Sequence, residues 1–307
     1  MRVNASDDVS AQFEAHVSPV RDGLLRLIEV SEQLEEQWGS LPAADSRAMG
    51  EIASESKYAG GEPWGDEPAR QAHHLAGMLL VGSTDCTRSA CRLLAEAPTP
   101  AYAHMVLARS ALEHAGRAWW LLDARIGIRE RIARGFNDRL NGLAQQDFLP
   151  IPPADKRRAR ERRKALFAEA DRLGFRKVTG RRQLSWIEEH RPTPTALVRK
   201  LLGDDQETGL GTTVYWLFSA VDHGTTSGLS QSIDADAPQL PQTPGVTWGA
   251  VYTSSAGVCS VLSAILLGLG RALQARNDLF GWPSEAWSQA HMLALRASRT
   301  SLESYGL

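Results

Sequence analysis

Apolar residues along this chain recur at helical spacing and almost nowhere alternate, so the predicted elements are helices. Residues 10–37 place Val17, Val20, Leu24, Leu25, Ile28 and Leu34 near one face, with charges between them. Residues 39–66, rich in Gly, Ser, Ala and Pro, read as an irregular connection. A second helix opens at Asp66–Pro68 and runs to about Ala95, where Pro98 stops it. Thr99-Pro100 repeats that grammar at the head of a helix over 100–124. Further helices are predicted over 127–147, 153–173 and 194–202, the last two beginning at a proline. One over 212–222 ends at Gly224 as its C-cap. The breakers of SGLSQ, DADAP and PQTPG make 224–246 the longest loop, a candidate lid or dimer arm. Thr247 then caps a long helix over 247–276, and a last one opens at Trp282-Pro283 and runs towards Arg299.

The stretch Gly249–Gly270 holds 22 residues without a charge. As a helix it would be roughly 33 Å long, enough to cross a membrane. It also carries Tyr252, Thr253, Ser254, Ser255, Ser260 and Ser263, and nothing else in the chain is membrane-like. The reading is a buried core helix wrapped by the others.

Composition narrows the class. With 307 residues, 43% hydrophobic and 23% charged, the chain can bury a large core, and disorder or a collagen-like repeat is excluded. The expectation is all-α: a single helical-bundle domain of about eight to ten helices around the long helix at 247–276. Three cysteines and no CxxC pair exclude a disulfide framework and a zinc knuckle, and fit reduced thiols in the cytoplasm. The opening MRVNASDDVSAQFEAHV has early acids and no apolar segment, so no signal peptide is expected.

The balance of 34 basic against 36 acidic residues conceals a local excess. Between Arg125 and Arg182 stand 17 basic and 7 acidic residues. In DKRRARERRKALFAEADRLG, the residues Arg157, Arg158, Arg160, Arg162, Arg163 and Lys164 surround a narrow stripe of Leu166, Phe167 and Leu173. Two readings stay open: a solvated or interfacial basic face balanced by acids elsewhere, or an anion-binding surface for nucleic acid or phosphates. No aromatic is interleaved before Phe167, so base stacking is not indicated.

Candidate chemistry concentrates in two helices. On 100–124, Leu107, Ala111, Ala115, Ala118 and Leu122 share an apolar sector, while Arg109, Glu113, Gly116 and Trp120 stack on roughly the opposite side. Trp119 and Trp120 point different ways, which fits burial all round. The second segment, YWLFSAVDHGTT, sets Tyr215, Ser219 and Asp222 at i, i+4 and i+7, with His223 four residues after Ser219. A site joining the two would use Glu113 and His223 as acid–base groups. Arg109, Trp120, Tyr215, Ser219 and Asp222 would contact a ligand, with Arg109 orienting an anion and the basic region assisting. His73 and His74 point to different faces, so one enters the core. No Glu-x-x-His pair, Walker loop, GxSxG elbow or HExxH is present, and DDQET lacks the third acid at the expected spacing, so no metal or cofactor is implied.

The R-x3-E segment with its aromatic run, followed much later by Y-x3-S-x3-H, resembles a group of uncharacterised all-helical proteins common in actinobacteria. It is also distantly similar to HEPN-like helical bundles, whose better-known members are nucleotide- or RNA-associated. The resemblance covers Arg109–Trp120 and Tyr215–His223. HEPN ribonucleases carry Arg-x4–6-His, a spacing that Arg109 and His114 match, but on one continuous helix the two side chains diverge by about 140°. The resemblance implies a module binding a polar or phosphorylated ligand or RNA. A small-molecule enzyme of specialised metabolism, using the Glu113/His223 pair, and a non-catalytic interaction protein are the alternatives. Expected partners are a polar small molecule, RNA or a second copy of the chain in a homodimer, and no membrane.

Overall fold

The computed structural model describes residues 7–95, 100–179, 185–203, 209–230, 233–234, 250–251 and 254–306. The fold is all-α, with eleven α-helices among those residues. In chain order they are α1 (Asp7–Trp38), α2 (Arg47–Ser54), α3 (Pro68–Leu93), α4 (Ala103–Leu121), α5 (Ile128–Gln145) and α6 (Pro153–Arg172). Then follow α7 (Pro194–Leu201), α8 (Leu210–Asp222), α9 (Thr226–Ser230), α10 (Ser255–Phe280) and α11 (Glu285–Glu303). Strands β1 (Lys177–Thr179) and β2 (Ser185–Ile187) form a short antiparallel hairpin, and β3 (Ile233–Asp234) pairs with β4 (Ala250–Val251).

Helices α4 and α10 form the centre. α4 packs against α3, α7, α8 and α10, and α10 also packs against α1 and α11. Leu112, Ala115, Leu262, Ile265, Leu266 and Leu269 belong to this main core. α10 is long and apolar enough to cross a membrane, yet 72% of its most apolar window is buried against the other helices. It serves as the core helix the sequence predicts. It begins later than expected, because Ser254 accepts a hydrogen bond from the Gly257 amide and caps it, while Thr247 lies outside the described residues. Gly281, at φ +66°, ends it.

A smaller core lies under α5 and α6. Trp64, Phe136, Leu140, Leu166, Phe175 and Ile187 fill it, and α3 links it to the main core. Two corrections to the sequence reading fall here. The connection at 39–66 contains α2, capped by Ser46, and a single 3-10 turn over Glu55–Tyr58. The buried face of α2 is Ala48 and Glu51, a carboxylate where apolar periodicity expects a hydrocarbon. The β1–β2 hairpin was also unexpected; Asn137 holds it, receiving the Ile187 amide at 2.7 Å and donating to its carbonyl at 2.8 Å. The predicted loop at 224–246 opens with α9, and most of its remainder lies outside the described residues, as do Thr99 and Asp204-Asp205.

Candidate functional site

α4 and α8 pack side by side, and their polar faces meet. Arg109 donates from Nε to Glu113 Oε1 at 2.9 Å, one turn along its own helix. Its Nη1 reaches across to the Asp222 carboxylate and lies 3.4 Å from His223 Nε2. Because a guanidinium only donates, His223 Nε2 is the acceptor there. The Tyr215 hydroxyl donates to the same Glu113 oxygen at 2.9 Å, and the Arg109 guanidinium carbon stands 5.5 Å from the centre of the phenol ring. Five of the predicted residues therefore form one cluster: Arg109, Glu113, Tyr215, Asp222 and His223.

Burial is graded across it. Tyr215 is buried and Arg109 is largely covered, whereas Asp222 and His223 face solvent at the C-terminal end of α8. Gly224, at φ +62°, terminates α8 as predicted and leaves that end open. Burial raises the Tyr215 pKa, and the Glu113 carboxylate beside it raises it further, so the phenol stays protonated and donates. For Arg109 burial acts downward, but its bonds to Glu113 and Tyr215 outweigh it and hold the pKa above the ordinary value. Two carboxylates and a helix C-terminus face one guanidinium, so the cluster is electronegative.

Two predicted members are placed differently. Trp120 is buried two turns further along α4, with the Arg134 guanidinium 5.1 Å from its ring, and it takes no part in the cluster. Ser219 is half-buried on α8, its carbonyl accepting the His223 amide, and its hydroxyl makes no hydrogen bond among the described residues. Arg109 and His114 diverge as their spacing requires, since the His114 ring packs over Gly82 of α3. Comparison with known proteins matches no family model, no curated protein and no solved structure.

Part of the basic excess at 125–182 is taken up by ion pairs within the fold. Arg131 binds Glu51, Arg129 binds Glu188, and Arg134 binds Glu189 and Glu130. Most of these acids lie outside the segment that looked unbalanced. On α6, Arg158 pairs with Asp155 and Arg160 with Asp147, while Arg163 is half-buried. Arg157, Arg162 and Lys164 are exposed without an ion pair among the described residues. α6 packs on α5 and β1 over the smaller core, whereas the Arg109 cluster belongs to the main one. The two surfaces do not form one site.

One constellation escaped the sequence reading. Glu51, His73 and Arg131 are all buried, with Glu51 Oε2 2.7 Å from Arg131 Nε and 3.0 Å from His73 Nε2. Arg131 also donates to the Leu121 and Asp123 carbonyls. Of the histidine pair, His73 enters the core and His74 is exposed. Among the described residues no three His, Cys, Asp or Glu side chains are grouped so as to hold a metal ion.

Proposed function

We propose that this protein is a ligand-binding helical bundle of HEPN-like ancestry, acting in the cytoplasm, whose site is the Arg109–Glu113–Tyr215–Asp222–His223 cluster. The observation that carries the reading is the exposed Asp222–His223 edge standing on a covered Arg109–Glu113–Tyr215 base. A ligand would meet oriented polar groups there without opening the core. The electronegative balance suits a polar ligand that donates hydrogen bonds or carries positive charge. A phosphorylated ligand or RNA would be taken on α6, by Arg157, Arg162 and Lys164. The three free cysteines support the compartment.

The enzyme reading uses the same residues. Glu113, held by Arg109 and by the protonated Tyr215, would serve as the carboxylate of the acid–base pair, and the exposed His223 ring as the group that meets the ligand.

Calorimetry with agmatine, adenosine monophosphate and a short single-stranded RNA separates these surfaces. Asp222→Asn and Glu113→Gln should each weaken agmatine at least about tenfold, the loss of one charge-assisted bond. The triple variant Arg157→Gln/Arg162→Gln/Lys164→Gln should leave agmatine unchanged and weaken the phosphate-bearing probes. Lower melting of Glu113→Gln with unchanged binding of every probe would make the cluster a structural ion pair and defeat the proposal.

A further inference from the structure

A cavity lies away from the Arg109 cluster, between the N-terminal half of α3 and α5. It offers about 570 Å³ and opens to solvent on one side, within the range of small-molecule sites. Trp64, Leu75, Ile132 and Phe136 supply apolar wall, and Asp138 and Arg139 stand at its polar side. The wall is held firmly. Trp64 stacks on Phe136 with ring centres 3.8 Å apart, and its indole N–H donates to the Tyr58 carbonyl at 2.9 Å. At Gly135 α5 comes close to α3, since a Cβ there would stand 3.0 Å from the Ala72 methyl.

The charge beside this cavity is unbalanced. Asp138 accepts from two guanidiniums, Arg117 at 2.6 and 3.2 Å and Arg191 at 2.9 and 3.2 Å. One carboxylate between two cations leaves a positive surplus. Arg139 has no ion pair among the described residues; its Nη1 donates to the Pro63 carbonyl at 2.7 Å, leaving the Nε–Nη2 edge without a partner there. Burial, then the like charge of Arg162 from α6, pushes the Arg139 pKa down, and Glu62 at the rim opposes this only in part. A planar guanidinium edge beside an apolar cavity matches a bidentate carboxylate joined to a hydrocarbon body.

We propose that the cavity between α3 and α5 binds a small amphipathic carboxylate, its apolar body against Trp64 and Phe136 and its acid group on Arg139. This site is independent of the Arg109 cluster and does not rest on the function proposed for it.

Calorimetry on the full chain with phenylpropionate, phenylpropionamide and phenylpropylamine tests it, because the three share a ring and differ in charge. The acid should bind, the amide at least about tenfold more weakly, and the amine not at all once Asp222→Asn has weakened the Arg109 cluster, which itself suits a cation. Arg139→Gln should weaken the acid at least about tenfold. Arg162→Gln, a surface change outside any ion pair, should weaken it less while leaving the melting temperature and the affinity for the amide unchanged. Asp222→Asn should leave the acid and the amide unaffected. Equal binding of acid and amide, no binding of the acid, or undiminished acid binding by both arginine variants would overturn the proposal.

Discussion

Among single residues, Glu51 carries the heaviest structural burden. Its carboxylate is removed from water and answered by Arg131, itself fully buried, and by His73. Truncation to Glu51→Ala leaves the Arg131 charge uncompensated inside the protein. Breaking a buried pair in this way costs about 3–5 kcal/mol. Urea unfolding should register that loss, and the double variant Glu51→Leu/Arg131→Met should recover most of it, because neither charge of the pair is then left buried without its partner. A single-variant loss below about 1 kcal/mol, the range of an exposed pair, would contradict this account. The sequence offered little warning of the network. Glu51 lies among small and polar residues, and a buried carboxylate adds nothing to an apolar periodicity. The histidine pair was legible because adjacent residues on a helix must diverge, whichever of them turns inward. The Arg109 cluster was legible for the related reason that Arg109/Glu113 and Tyr215/Asp222 fall at helical neighbour spacings. What joined the two helices was their packing, which no local spacing contains.

At the level of elements, punctuation was the most readable signal. Pro68, Pro153 and Pro194 each open a helix where predicted, and Thr193 caps α7 through the Ala196 amide at 3.2 Å. Their chemistry is local, so local sequence suffices. α10 shows where this runs out. Several Ser and Thr residues precede it, and only the tertiary course of the chain selects Ser254 as the cap. Removing that hydroxyl in Ser254→Ala should cost about 1 kcal/mol, with little structural change because the residue is exposed. A parallel Ser260→Ala change, exposed further along α10 and bonded only to the Ala256 carbonyl of its own helix, removes no capping bond and should cost less. If chemical denaturation ranks the two variants the other way, the cap has been misassigned. Trp120 was misplaced for a different reason. It shares a helical face with Arg109, but eleven residues carry it about 16 Å along the axis and into contact with α5. A shared face is not a shared site.

Across the whole molecule, titratable groups from both cores bias the fold in the same direction with pH. His104, His114 and His291 have pKa values lowered, in each case chiefly by burial, which disfavours the charged ring. For Glu51, burial acts upward, but bonds from His73 and Arg131 outweigh it and the pKa falls below the ordinary carboxylate value. Asp123 and Glu188 behave alike: burial raises their pKa values, and the guanidiniums of Arg125 and Arg129 bring them lower still. In every case the unfolded chain binds protons more readily than the folded one. Stability is therefore complete above the unfolded pKa values and declines as pH falls towards the folded ones. The histidines act first, below their ordinary value of 6.5, and the carboxylates below 4.5 and 3.8. Each histidine or carboxylate contributes at most about 1.4 kcal/mol per pH unit inside its own window. Urea unfolding free energies should thus fall between pH 7.5 and pH 5, then more steeply below pH 4.5. Glu51→Gln should flatten the acid limb without altering the histidine limb. A profile level from pH 7.5 to pH 5 would mean that the three rings do not stay neutral in the fold.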